Sequence, residues 1–258
     1  MVEDNGKLAV VTFTRNKQKN SLNIIFLSEM DRFLDELEEN KYCRILILQG
    51  DKGVFSTGMD FESVIPSSEK STMNGKNIYA EEFCEMYMKI LNRLSLSSKI
   101  IISFVDGIAT AGGVGLAAAS DFVIATPRAT FQLSELLWGL LPSMVVPFLI
   151  RRIGFQKAYS ITISTLAVDA DRALQWGLAD EISDSPYNFA KQLMNRISKI
   201  EECNIVRAKH YFKKMWFVTE EMEQHAISQT QNLLNDKKIV QDLHNYIRYG
   251  QFPWETSE

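Results

Sequence analysis

The chain has 258 residues, of which 46% are hydrophobic, 10% aromatic and 23% charged, with 13 Gly and 6 Pro. That composition belongs to a globular protein with a sizeable core and excludes a disordered tail, a collagen and a peptide-sized scaffold; the length suits one large domain, or a domain with a smaller module. With 28 Lys and Arg against 32 Asp and Glu the formal charge is -4, so the basic footprint of a nucleic-acid-binding protein is missing.

The 3 cysteines, Cys43, Cys84 and Cys203, contain no Cys-x-x-Cys pair, and their odd number cannot make a complete disulfide framework. They read as free thiols of a reducing compartment. Met1 to Lys7 is polar and acidic, without the basic stretch and apolar run of a signal peptide. The apolar runs Leu136 to Leu141 and Met144 to Ile150 are too short to span a bilayer. A cytoplasmic protein without membrane or nucleic-acid partners is expected.

Leu8 to Thr14 (LAVVTFT) is short and β-branched and runs into the polar Arg15 to Asn20, a strand leading into a loop. Ser21 to Asn40 repeats apolar residues at helical spacing through Leu22, Phe26, Met30, Phe33 and Leu37. Cys43 to Gln49 (CRILILQ) has strand length and is closed by Gly50. Strand, helix, strand is the βαβ rhythm and predicts parallel pairing. Val54 to Asp60 (VFSTGMD) is Gly-interrupted and reads as a turn, Ser63 to Lys76 as a polar, mobile loop, and Ile78 to Leu94 as a helix through Phe83, Tyr87 and Ile90. Ile100 to Val105 is a strand, Ala109 to Ala119 a run of small apolar residues, and Phe122 to Ala125 another strand. The alternation persists to about Ile182. From about Tyr187 the pattern is helical only: Asn188 to Glu201, Ile205 to Phe217, and a long polar stretch from Glu220 to Tyr249. This α/β chain therefore divides into a core over 1–186 and a helical module over 187–258.

Two glycine-bearing segments come directly after strands. In Gly107-Ile108-Ala109-Thr110-Ala111-Gly112-Gly113-Val114-Gly115-Leu116 the glycines sit where the amides of a helix N-terminus can face a ligand. The spacing is neither a dinucleotide fingerprint nor a P-loop, and tight helix packing is the alternative. In Phe55-Ser56-Thr57-Gly58-Met59-Asp60, Gly58 admits an unusual backbone angle and Asp60 can cap the next element of the chain. Parallel sheets gather ligands outside the carboxyl ends of their strands, so one amide from each turn would form an oxyanion hole.

These segments resemble the crotonase, or enoyl-CoA hydratase/isomerase, superfamily over almost the whole chain. Arg15 to Leu22 resembles the loop that folds over the nucleotide end of coenzyme A, Phe55 to Asp60 and Gly107 to Asp121 the two oxyanion-hole signatures, and Ala129 to Pro142 (ATFQLSELLWGLLP) the segment bearing a catalytic carboxylate. The resemblance implies a spiral of ββα units with a C-terminal helical module that builds trimers or hexamers. It implies an oxyanion hole of the Met59 and Gly112 amides, and a catalytic Glu135. Lys17, Gln18, Gly58, Asp60, Gly113, Leu133 and Trp138 are the substrate-binding candidates, with Lys17 and Lys19 read either as partners of a phosphate on the pantetheine arm or as solvated loop charges.

Hydratases of this superfamily carry a first Glu two residues after the Gly-Gly pair; here that position is Gly115. Ser134 to Leu137, Val146 to Gly154 and Tyr249 to Glu255 are similar to the dehydratases of polyketide β-branching cassettes. That implies loss of water from a 3-hydroxy-3-methylglutaryl thioester on the phosphopantetheine of an acyl carrier protein, or of coenzyme A, with no other cofactor and no metal. Glu135 would move both protons in a syn elimination, its pKa raised by Phe131, Leu133, Leu136, Leu137 and Trp138. A one-glutamate enoyl-CoA isomerase and a non-catalytic binding module are the alternatives. His210, His225 and His244 lack metal-ligand spacing and read as solvated helix residues, and Asp60 and Asp121 as capping or turn residues.

Overall fold

The computed structural model describes residues 2–3, 6–65, 72–73, 76–216 and 219–255. In chain order the elements are β1 (Val2–Glu3), β2 (Leu8–Phe13), α1 (Ile24–Glu39), β3 (Ile45–Gly50), β4 (Val54–Ser56), α2 (Phe61–Val64), β5 (Thr72–Met73), β6 (Lys76–Asn77) and α3 (Ile78–Leu96). Next come β7 (Ile100–Val105), β8 (Ile108–Thr110), α4 (Gly112–Ala119), β9 (Phe122–Ala125), β10 (Thr130–Gln132), a 3-10 turn (Glu135–Trp138), α5 (Val146–Ile153), α6 (Phe155–Ser164), β11 (Val168–Asp169), α7 (Ala170–Trp176) and β12 (Glu181–Ile182). The chain closes with α8 (Tyr187–Ile197), α9 (Glu202–Lys213), α10 (Glu220–Leu233), α11 (Lys237–Tyr249) and a 3-10 turn (Pro253–Glu255).

Strands come in pairs, and each pair divides between two sheets. β3, β7 and β9 lie side by side in the sheet β1-β2-β3-β7-β9-β12, while their successors β4, β8 and β10 lie side by side in the sheet β11-β10-β8-β4. Pairing within each set is parallel, with Ile45 to Gln49 opposite Ile100 to Phe104 and Ile102 to Val105 opposite Phe122 to Ala125. This is a spiral of ββα units. The βαβ rhythm of the sequence missed β4, β8 and β10, which have three residues each. Three residues are too few to display a two-residue alternation.

Other boundaries moved for local reasons. The first helix starts at Ile24, because Asn23 caps it by accepting from the Phe26 N–H at 2.9 Å and Leu22 instead bridges Met59. The polar stretch after Glu220 breaks where Asp236 accepts from the Lys238 and Ile239 N–H groups at 2.9 and 3.1 Å, capping α11. Of the loop expected over Ser63 to Lys76, α2, β5 and β6 take part, and most of the remainder lies outside the described residues, as does Phe217.

Strand β3 explains the layering. Ile45, Leu46, Ile47 and Leu48 are all fully buried, as befits a parallel strand covered on both faces. Leu46 and Leu48 join the main core with Phe26 and Leu34 of α1 and Ile90 and Leu94 of α3. Ile45 and Ile47 face Ala190, Met194, Ile197 and Ile205 of α8 and α9. Ala226, Ile227, Ile239 and Leu243 of α10 and α11 enter the main core itself. The helices after Tyr187 therefore pack into cores shared with the sheets. Among the described residues no helix is long and apolar enough to cross a membrane.

Candidate active site

The turns after β4 and β8 meet because those strands are neighbours. Gly58 has φ +82°, and a Cβ there would fall 2.7 Å from the Ala111 Cβ and 2.8 Å from the Gly112 nitrogen, so only glycine lets the two turns close. The Leu22 N–H donates to the Gly58 carbonyl at 2.7 Å and the Asp60 N–H to the Leu22 carbonyl at 2.8 Å. Groups on either side of Met59 thus point to Leu22, which turns the Met59 N–H the opposite way. Ala111, the N-cap residue of α4, has φ +52° and ψ -121°, a conformation that glycine adopts far more readily. The N–H of Gly112, the first residue of α4, has no intrahelical acceptor. At the other end of α4, Arg151 donates to the Ala118 and Ser120 carbonyls and Arg152 to those of Ser120 and Asp121. Cations there complement the helix dipole.

Met59 and Gly112 line one cavity of about 660 Å³ together with Glu135. Among the described residues three carboxylates border it, and they differ in surroundings. Asp60 is paired with Arg15 at 2.8 Å, and Glu62 is exposed. Glu135, half-buried as a residue, has its Oε2 sealed from solvent without a hydrogen-bond partner among the described residues. Burial is the cause that raises its pKa to about 7, partly offset by backbone hydrogen bonds of Ser134 and Glu135.

The apolar wall is not quite the expected one. Trp138 contributes, with ring centroids 5.2 Å from Phe61, 4.7 Å from Tyr246 and 6.1 Å from Trp254. Leu140, Met144 and Val145 also line the cavity. Leu137 is 40% exposed and contributes nothing, because the tight 3-10 turn swings it outward.

Lys17, Gln18 and Lys19 sit exposed at the rim, and Asp60 and Trp138 line the wall. Asp60 makes no side-chain cap on α2; its carboxylate is held by Arg15. Gly58, Gly113 and Leu133 do not line the cavity. Gly58 shapes the turn. Gly113 packs α4 on β4, since a Cβ would lie 2.4 Å from the Ser56 carbonyl oxygen, and Leu133 is buried in the core. Asp121 pairs with Lys209 at 2.6 Å and accepts from the Ile101 N–H at 2.7 Å, a tie between α9 and the sheet. None of the three histidines lines the cavity; His210 and His225 are exposed and His244 is half-buried.

Sequence reasoning placed Tyr87 on a helix face and missed its polar end. Its hydroxyl donates to the Gly112 carbonyl at 2.7 Å and the ring lines the cavity. Burial first, then the charge of Glu135, holds its pKa well above 10. The available signal was a tyrosine on a buried aliphatic face, where the hydroxyl must find a partner. Tyr246, brought in by α11, was likewise missed.

Comparison with known proteins agrees with this architecture. The chain is 29% identical over 250 residues to the bacillaene synthase dehydratase PksH of Bacillus subtilis, covering 97% of this chain and 94% of that one. It is 31% identical over 201 residues to a short-chain-enoyl-CoA hydratase of Clostridium acetobutylicum, covering 76% and 74%. The crystal structure of a polyketide biosynthesis enoyl-CoA hydratase of Bacillus subtilis superposes with a TM-score of 0.85 at 28% identity, covering 98% of both chains. Residues 3–257 match the enoyl-CoA hydratase/isomerase family, and the chain belongs to that family as a crotonase-fold hydro-lyase.

Proposed function

We propose that the protein is a dehydratase that removes water from a 3-hydroxy-3-methylglutaryl thioester carried on the phosphopantetheine of an acyl carrier protein, giving the 3-methylglutaconyl thioester in polyketide β-branching. The carrying observation is Glu135, whose Oε2 is sealed and without a partner among the described residues and whose pKa is near 7, in a chain that has glycine at position 115. Among the described residues, water addition by two cooperating carboxylates has no second group, since Asp60 is bound to Arg15 and Glu62 faces solvent. The likeness to PksH supports the dehydratase direction. Lys17 and Lys19 at the rim suit the phosphate of a carrier arm.

In this reading the Met59 and Gly112 N–H groups meet the thioester oxygen, where negative charge grows as the C2 proton leaves for Glu135. The proton then goes to the departing C3 hydroxyl on the same face, and no cofactor is required. A homotrimer or hexamer is the assembly we propose. The test is incubation with 3-hydroxy-3-methylglutaryl carrier protein and, separately, with the coenzyme A ester, following loss of water by mass. Loss from the carrier thioester is expected. An unchanged mass with both substrates overturns the reading in favour of isomerisation or binding alone.

A further inference from the structure

The space beside Gly115 is occupied although Gly115 has no side chain, and its occupant, Tyr87, lines the same cavity as Glu135. A Cβ on Gly115 would fall 2.1 Å from the Tyr87 hydroxyl oxygen and 3.0 Å from Val145 Cγ2. Tyr87 reaches this point from the middle of α3. It is 2% exposed and stacks on Phe83 at 5.9 Å between centroids. A phenol has one proton to give and lone pairs to receive with. The Tyr87 proton is committed to the Gly112 carbonyl at 2.7 Å, so what the oxygen offers the cavity is an acceptor. The ring is held from both ends, by stacking and by that hydrogen bond.

We propose that Tyr87 accepts a hydrogen bond from the leaving hydroxyl of the substrate and so aims a lone pair of that oxygen at Glu135, from the place where a second carboxylate would otherwise stand. The proposal rests on the dehydratase reading. In the step, the Glu135 carboxylate takes the C2 proton, and the C2–H electron pair becomes the C2=C3 bond. The C3–O bond breaks with its pair on oxygen, and Glu135 returns the proton to that oxygen. Water leaves while still donating to Tyr87, which begins and ends protonated. Its raised pKa fits a group that never ionises. A neutral acceptor also has an advantage over a second carboxylate. A like charge beside Glu135 would push its pKa further up and leave less base at neutral pH.

The test compares Tyr87→Phe with the unaltered protein on two carrier-protein thioesters, 3-hydroxy-3-methylglutaryl and 3-fluoro-3-methylglutaryl. Fluorine bears no proton to donate, so its departure does not use the Tyr87 oxygen. Turnover of the hydroxy substrate should fall about 10- to 100-fold, the effect of one lost active-site hydrogen bond, and loss on the fluoro substrate should stay below about threefold. Gly115→Ala displaces the hydroxyl by steric contact and should show the same split. Equal losses on both substrates would mean that Tyr87 acts through the Gly112 turn, and unchanged turnover of the hydroxy substrate would reduce it to packing; either overturns the proposal alone. If the unaltered protein eliminates neither water nor fluoride, the dehydratase reading fails and the role of Tyr87 fails with it.

Discussion

Glu135 trades stability for reactivity, and the trade has a sign. Its pKa rises from 4.5 to about 7 on folding, so between those values the native state binds more protons than the unfolded one, and stability falls as pH rises. The full contribution is present below about pH 4.5, and about 3 kcal/mol is lost once pH has passed 7. Glu135→Gln abolishes this titration. Urea unfolding at pH 5 and pH 8 should show the variant gaining on the unaltered protein as pH rises, while turnover is lost because an amide cannot accept the C2 proton. The same group predicts that kcat/KM of the unaltered protein rises with pH through an apparent pKa near 7. Ala111 carries strain of another kind. With φ +52° and ψ -121°, it should be relieved by Ala111→Gly, with a gain of about 1 kcal/mol in the same unfolding experiment.

The first turn of helix α4 serves both packing and chemistry. Its second residue, Gly113, presses on the Ser56 carbonyl, so Gly113→Ala should cost about 2 kcal/mol or more in urea unfolding. Gly112 occupies the first helical position, where proline is tolerated. Gly112→Pro should keep the helix but remove one N–H and distort the turn at Ala111, lowering turnover about 100-fold or more and weakening an unreactive thioester analogue far less. Near-normal turnover in that variant would exclude α4 from the chemistry. The sequence is uneven as a guide to these elements. Strands β3, β7 and β9 were legible because each is a continuous apolar run, and Glu135 because its segment has a recognisable pattern. The pairing of β4 with β8 was not, since three residues carry no period. The meeting of Tyr87 with Gly112 is likewise a product of how α3 crosses α4, which no local pattern encodes.

On the scale of the molecule, α6 presents Phe155, Tyr159 and Ile163, four residues apart and 66%, 52% and 55% exposed, and Leu166 lies just past its end. Tyr211, Phe212 and Met215 are exposed on or just after α9. Contiguous apolar stripes of this kind mark association surfaces. Light scattering at micromolar concentration should give a trimer or hexamer, and Tyr159→Glu should shift it towards monomer; a monomer or simple dimer of the unaltered protein contradicts the proposed assembly. The aromatic cluster around Trp138 has an implication of another order. Phe252 and Trp254 stack on each other at 4.7 Å and both lie against Trp138, three residues from Glu135. A nascent polypeptide synthesised only as far as α11 already holds Glu135, Met59, Gly112 and Tyr87, yet lacks this cover. In such a chain Trp138 keeps Phe61 and Tyr246 but lacks the outer half of its aromatic packing, so the wall beside Glu135 is finished only when the segment after α11 folds back onto it.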